Sequence, residues 1–358
     1  MITRASHRHL HLMVPGDPAT PTGGYVYDRR MAEGLRALGW RVDVVTLDPG
    51  FPAPAPAALA GAAARLRTIA DGGLVLIDGL ALGAMPDVVA AERVRLRMIG
   101  LVHHPLALET GLPADRAAAL RRSETAALAA MRRIIVTSPA TARELAAFGA
   151  SPADIDVVLP GTDPAPLARG SGGGPLALLC VAAVTPRKGH LLLVEALAGL
   201  AAADWRLTCV GSLDRDPAAA AALRRRIDTL GLDARVRLAG TVDDAALAAA
   251  YQAADLFVLP SLFEGYGMAF AEALAHGLPV LGCRAGAVPE TVPADAGLLV
   301  EPGSVPALSE ALERLLSDAA LRRRLRAGAR RARSALPDWH ASCRLLAELL
   351  ERIDARPL

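Results

Sequence analysis

The sequence predicts an α/β protein built from two Rossmann-like, doubly wound parallel-sheet domains. Three observations carry that prediction. Short, wholly apolar runs such as Leu-Phe-Val-Leu at 256–259, stopped by Pro260, read as strands buried on both faces, as in a parallel sheet. The order strand, glycine-bearing loop, helix, strand appears near the start and again after residue 175, with a Pro/Gly/Ser-rich stretch at 161–175 between the two. The chain has 358 residues, 53% hydrophobic and only 3% aromatic. That is long for one domain and suits layers packed from Ala, Leu and Val.

In the first half, a strand is expected over 7–14, then the loop P-G-D-P-A-T-P-T-G-G-Y and a helix over 26–38 ended by Gly39. Gly23 and Gly24 at that helix start let a ligand approach the backbone closely. The loop lacks G-x-G-x-x-G spacing, so a dinucleotide reading has little support. His7, His9 and His11 alternate along the strand. Three imidazoles on one strand rarely converge on an ion and the loops offer no further ligand, so no metal is expected there. Strands over 41–47, 74–78 and 97–103 follow, with an Ala/Pro-rich stretch at 52–64 leading into a helix. The last of these strands ends in L-V-H-H-P-L. His103 or His104 therefore stands at a strand's carboxyl end, where open α/β sheets bind ligands. A helix over 114–131 carries arginines whose usual meaning is a solvated face, although such a face can also lie on anionic lipid. A strand over 134–138, a helix over 140–148 and a strand over 156–159 close the first domain.

The second half restarts with a strand over 176–183, the turn V-T-P-R-K-G-H, a helix over 191–200 and a strand over 207–211. Arg187 and Lys188 then sit at a strand's carboxyl end, where two adjacent cations neutralise a diphosphate without a metal. Lys188 is the one lysine among 39 basic residues, the rest being arginine. A compact ammonium kept at this one position points to a need for a point charge that a guanidinium fork does not meet. After a strand over 235–240 and the apolar run at 256–259 comes a loop at 261–267, carrying Glu264, Gly265, Tyr266 and Gly267, and a helix from Met268 that Gly277 ends. A glycine-flanked loop feeding a helix N-terminus aims N–H groups and the positive dipole end at one spot, which suits a phosphate. Glu264 and Glu272 are the two charges in this apolar segment; sugar and ribose hydroxyls can satisfy both. A strand over 278–281 and helices over 305–317, 321–332 and 339–353 complete the chain. The pairs Asp154-x-Asp156 and Asp214-x-Asp216 match a metal–diphosphate pattern formally, but one leads into a strand and the other lies in a Pro-bearing loop, so neither is taken as a metal site.

Composition narrows the partners. A net charge of +2 gives no general case for nucleic acid. Four scattered cysteines, Cys180, Cys209, Cys283 and Cys343, read as buried reduced thiols and imply a reducing compartment. The opening residues do not resemble a secretion signal and no apolar run is long enough to span a bilayer, so a soluble, cytoplasmic protein is expected.

The stretch E-G-Y-G-M-A-F-A-E-A-L-A-H-G-L-P-V resembles the E-x₇-E element of glycosyltransferase family 4, retaining nucleotide-sugar-dependent enzymes of GT-B fold. That family has the same R-K-G where this chain has 187–189. The resemblance implies a GT-B arrangement of two domains facing a central cleft. Residues 1–165 would form the acceptor side, with the terminal segment 338–358 packing back on it, and 166–337 the nucleotide-sugar side. It implies transfer of a sugar from a UDP- or GDP-sugar to a hydroxyl of a small-molecule, lipid or glycan acceptor. Configuration would be retained with no cofactor and no metal, and peripheral membrane contact stays open. By the same resemblance Glu264 contacts the donor sugar, Glu272 the ribose, Arg187 and Lys188 the leaving diphosphate, and His103 the transferred sugar. Gly23, Gly24, Gly211, Gly265, Tyr266, Gly267 and Met268 would surround the donor. Two other readings stand beside this one. A nucleotide-sugar hydrolase or epimerase would need an acid–base pair beyond His103, and the sequence offers none. A non-catalytic sensor or scaffold sits poorly with intact Glu264, Glu272, Arg187 and Lys188.

Overall fold

A computed structural model describes residues 8–355, so His7 lies outside the described residues. The chain forms two compact units, one reaching Gly161 and resuming at Pro337, the other Thr162–Leu336. The first unit runs β1 (His9–Pro15), α1 (Gly23–Ala37), β2 (Arg41–Leu47), α2 (Pro56–Arg67), β3 (Leu74–Asp78), α3 (Gly79–Leu82), α4 (Pro86–Glu92), β4 (Arg97–Val102), α5 (Ala114–Leu128), β5 (Arg133–Val136), α6 (Pro139–Leu145) and β6 (Ile155–Val157). The second runs β7 (Leu176–Val181), α7 (His190–Ala198), β8 (Trp205–Val210), α8 (Pro217–Thr229), β9 (Val236–Gly240), α9 (Asp244–Ala253), β10 (Leu256–Leu259), α10 (Met268–Ala275), β11 (Val280–Cys283), α11 (Val288–Thr291), β12 (Gly297–Val300), α12 (Val305–Ser317) and α13 (Ala319–Ala332). The last helix, α14 (Trp339–Asp354), belongs to the first unit.

Each unit holds one parallel six-stranded sheet, ordered β2-β1-β3-β4-β5-β6 in the first and β12-β11-β10-β7-β8-β9 in the second. Central strands such as β3 and β10 are buried at every position, which explains their unbroken apolar runs. In the edge strand β2 only Val42 and Leu47 are buried, the rest being exposed or half-buried. In the first unit, Leu10, Leu12 and Val14 pack with α1 and α14 on one sheet face, while Met13, Val75 and Ile77 pack on the other. Both sheets reverse strand order once, between β1 and β3 and between β7 and β10. Loops leaving the carboxyl ends of strands at such a reversal splay apart and leave a crevice, the usual ligand site of doubly wound sheets.

Several elements differ from expectation. Helix α1 begins at Gly23, three residues early, which puts both glycines in its first turn. Asp216 ends its loop as the cap of α8, its carboxylate accepting from the Ala219 N–H with Pro217 next in line. Asp156 is tied to Arg133 Nη2 at 2.6 Å. Helices α3, α4, α8, α9 and α11 were not expected; their Ala- and Arg-rich or very short sequences show little hydrophobic contrast. All four cysteines are free and buried. Among the described residues no helix is long and apolar enough to cross a membrane.

Candidate active site

In the second unit, the loops leaving β7 and β10 meet at the point where strand order reverses. After β7 the chain makes a single 3₁₀ turn, Pro186–Lys188, closed by Gly189 at φ +72°. A side chain at Gly189 would put its Cβ 2.2 Å from the Pro260 carbonyl oxygen, so glycine lets this turn lie directly on the exit of β10. The Leu262 N–H bonds the Arg187 carbonyl at 2.7 Å and stitches the two loops together.

That stitching brings three charges to one place. Lys188 Nζ donates to Glu264 Oε1 at 2.6 Å, and Ser261 Oγ donates to the same oxygen at 2.6 Å. Arg187 Nη1 donates to the Phe263 carbonyl at 2.8 Å and lies 3.9 Å from Glu264 Oε2. Glu264 is 6% exposed. Burial by itself would raise its pKa, but the charges of Lys188 and then Arg187, with hydrogen bonds from Lys188 and Ser261, outweigh it and hold the carboxyl below its usual value. Glu264 is thus a buried carboxylate kept ionised by Lys188, 76 residues away in the sequence, and by Arg187 beside it.

Gly265, Tyr266 and Gly267 continue the loop, and Gly267, at φ +89°, turns the chain into α10 at Met268. The Tyr266 carbonyl accepts from Thr291 Oγ1 at 2.7 Å, which pins the loop to α11. Glu272, on α10, is half-buried and accepts a 2.8 Å bond from the hydroxyl of Tyr251, itself buried and stacked on His276. Burial raises the Glu272 pKa to about 7; the tyrosine bond opposes this, and the charges of Asp163 and Asp244 add to it. Gly211 follows β8 at φ +145°, where an added Cβ would fall 2.1 Å from the Ala182 carbonyl oxygen, so the two strand exits are in backbone contact there.

In the first unit a second group forms around His103, just past the end of β4. Its Nε2 lies 3.2 Å from Asp28 Oδ1 and 3.5 Å from Asp78 Oδ2, and the Tyr27 ring stands edge-on to the imidazole. Gly24 lies against the same ring: a Cβ there would come 3.3 Å from His103 Cδ2. Asp28 and Asp78 are 2% and 1% exposed. Burial pushes the Asp78 carboxyl up to about 7, and the charge of Asp28 pushes it the same way against His103 and the Leu80 N–H. Burial disfavours the imidazolium of His103, but the Asp28 hydrogen bond and charge, then the Asp78 charge, raise its pKa overall. The first unit therefore does hold an acid–base group around His103, which the sequence reading missed.

Asp28, Asp78, Ser261 and Tyr251 all escaped that reading. Asp28 follows Gly24 by four residues and so shares its helix face. Asp78 ends a buried strand, the same sign that singled out His103. Tyr251 and Ser261 carried no signal.

Comparisons with known proteins bear on the fold and the activity. Residues 175–318 match the family Glycosyl transferases group 1, and residues 22–166 match Glycosyltransferase Family 4. The chain thus carries two glycosyltransferase domains, one in each half. It is 27% identical over 330 residues to an MMP α-(1→4)-mannosyltransferase of Mycolicibacterium hassiacum, a match covering 87% of this chain and 78% of that one. It is 34% identical over 175 residues to a D-inositol 3-phosphate glycosyltransferase of Corynebacterium glutamicum. That second match spans 46% of this chain and only 42% of the relative's length. In fold the chain is similar to a sucrose-phosphate synthase from Thermosynechococcus elongatus, with a TM-score of 0.81 at 24% identity over 97% of this chain and 99% of the other. Anabaena HepE, solved in complex with UDP-glucose, gives a TM-score of 0.76 at 20% identity, covering 96% of this chain and 99% of that one. The two-sheet architecture is thus that of the GT-B glycosyltransferases.

Proposed function

We propose that this glycosyltransferase moves a sugar from a nucleoside diphosphate sugar to a hydroxyl-bearing acceptor, with retained configuration and without a metal. One observation carries the reading: Arg187, Lys188 and the ionised, buried Glu264 converge where strand order reverses in the second sheet, beside the N-terminus of α10. An ammonium has three N–H donors and Glu264 takes one, so Lys188 can also bond a phosphate oxygen. Charge grows on the diphosphate as the glycosidic bond breaks. Arg187 and Lys188, held by Glu264 and the Phe263 carbonyl, would meet that charge without reorganising. Two fixed cations are the basis for metal independence. Oε1 of Glu264 is occupied by Lys188 and Ser261, which leaves Oε2 as the acceptor for donor-sugar hydroxyls. Glu272 would accept from the ribose, while Gly211, Gly265, Tyr266, Gly267 and Met268 form the backbone around the nucleotide.

No side chain of the second-unit group is placed as a covalent nucleophile, so the leaving phosphate takes the acceptor proton on the face it departs from. UDP- and GDP-sugars are the proposed donors. A relative named as a D-inositol 3-phosphate glycosyltransferase and one named as an α-(1→4)-mannosyltransferase support a small polyol or glycan acceptor. A second reading, hydrolysis of the donor, draws on His103 with Asp28 and Asp78, a group able to take a proton from water.

Thermal melting and product release against a panel of UDP-, GDP- and ADP-sugars test both readings, with Lys188→Ala and Glu272→Ala beside the unaltered protein. One donor should raise the melting temperature and both variants should lose that rise. Sugar release that needs an added alcohol acceptor supports transfer; fast release in water alone supports hydrolysis. A protein that binds none of the panel overturns the proposal.

A further inference from the structure

His9 and His11 do not stand alone on their sheet face. Strands β1 and β2 run parallel at the sheet edge, with His9 opposite Arg41 and His11 opposite Asp43. Asp43 turns toward both imidazoles: its Oδ2 is 2.7 Å from His9 Nε2 and 4.0 Å from His11 Nδ1. The two rings lie 4.4 Å apart between centroids. One donor atom from each of the three residues falls within 4.8 Å of the other two. Their side chains are 32%, 18% and 37% exposed, so an ion can reach them while paired backbones hold their spacing.

We propose that His9, His11 and Asp43 bind a divalent transition-metal ion of the zinc or nickel class, clipping β1 to β2. Two imidazoles and a carboxylate are a donor set that zinc uses, whereas magnesium and calcium demand oxygen ligands throughout. Around a tetrahedral ion with bonds of about 2.1 Å, neighbouring donors sit about 3.4 Å apart. The observed separations bracket that figure, so small side-chain rotations close the site. Water completes the fourth position. On binding, the proton shared by His9 and Asp43 leaves as the metal takes its place. Arg41, 3.3 Å from Asp43, competes for the carboxylate and moderates the affinity. The ligand beside the two histidines comes from the paired strand, not from a loop. His9 begins β1, roughly 20 Å along the strand from its carboxyl end, so the ion takes no part in sugar transfer.

The test is calorimetric titration of the untagged, chelator-treated full chain with Zn²⁺ and, separately, Mg²⁺, with melting curves alongside. His11→Gln and Asp43→Asn are compared with the unaltered protein. The expected result is about one zinc ion per chain and a higher melting temperature with zinc. No response to magnesium is expected, and each variant should weaken zinc binding at least about tenfold. Both variants should melt with the unaltered protein when chelator is present, which shows that they fold. Absence of zinc binding overturns the proposal. So does binding that survives Asp43→Asn, because the ion is then held by histidines alone.

Discussion

The ammonium of Lys188 stands 2.6 Å from Oε1 of Glu264, and each charge depends on the other for its place. Removing one partner of a buried pair leaves the other uncompensated, a cost that exceeds the net worth of the pair. Lys188→Ala should therefore destabilise the protein by roughly 1–3 kcal/mol. Nucleotide binding should fall with it, since the diphosphate loses a cation. Lys188→Arg keeps the charge in a chain otherwise built with arginine, yet a planar fork does not fit a 2.6 Å contact shared with Ser261. Its turnover should stay well below that of the unaltered protein. An arginine variant of full activity would show that the lone lysine has no special role.

Glu272 links pH to binding. Its pKa lies near 7, raised from 4.5 chiefly by burial. Because the folded value is above the unfolded one, the stability tied to its proton is fully present below about pH 4.5. It is lost as pH rises toward 7 and stays lost beyond, by roughly 1–3 kcal/mol. In the proposed contact a ribose hydroxyl would donate to the carboxylate and favour the ionised form. Nucleoside diphosphate affinity should therefore rise roughly tenfold from pH 6 to pH 8, with a proton released at the lower pH. Glu272→Gln should flatten both profiles. Calorimetry in buffers of different ionisation heat reads the proton directly, and a pH-independent affinity in the unaltered protein would count against the ribose contact.

Strands and the charges at strand ends were readable because their signals are local. An apolar run like Leu256–Leu259 reports its own burial, and Arg187-Lys188-Gly189 and Glu264-Gly265 are short motifs at strand ends. What joins them was not readable. Lys188 meets Glu264 across 76 residues and His103 meets Asp28 across 75, and no spacing rule spans such distances. Asp28 sits in Tyr-Asp-Arg-Arg, which looks like a solvated helix face, because the aspect that buries it is set by β3 and β4. Asp43 carries no signal in the sequence, because it meets His9 only through the pairing of β2 with β1. Helix α9, which supplies Tyr251, was missed because its Ala-rich sequence lacks a polar face to contrast with a buried one.

The carboxylates beside His103 should set its proton affinity. Asp28 is 3.2 Å from Nε2 and its bond and charge are the largest influences raising the imidazole pKa against burial. Asp28→Asn should move the His103 titration, followed by NMR, to lower pH. If the imidazolium takes part in turnover, the alkaline limb of the pH–rate curve moves the same way, whereas a needed neutral imidazole shifts the acid limb. His103→Ala should cost about a hundredfold or more in turnover at neutral pH. An Asp28→Asn protein with an unmoved His103 titration would reduce the carboxylate to a packing role.

Helix α14 is seated on α1 through a glycine. A Cβ at Gly34 would lie 2.1 Å from Cys343 Sγ and 2.8 Å from its Cβ. Gly34→Ala raises helix propensity, worth up to about 1 kcal/mol in α1. Against this stands overpacking, at about 1–3 kcal/mol, since rotating the thiol away does not relieve the contact with the cysteine Cβ. The helices must separate, so the clash wins and the variant should melt earlier. Cys343→Ala removes Sγ but keeps the Cβ, still only 2.8 Å away, so the double variant should recover only part of the loss. Full recovery would mean that the sulfur alone sets the distance between α1 and α14; a Gly34→Ala protein that melts later than the unaltered one would mean that α14 is held too loosely to feel the added methyl.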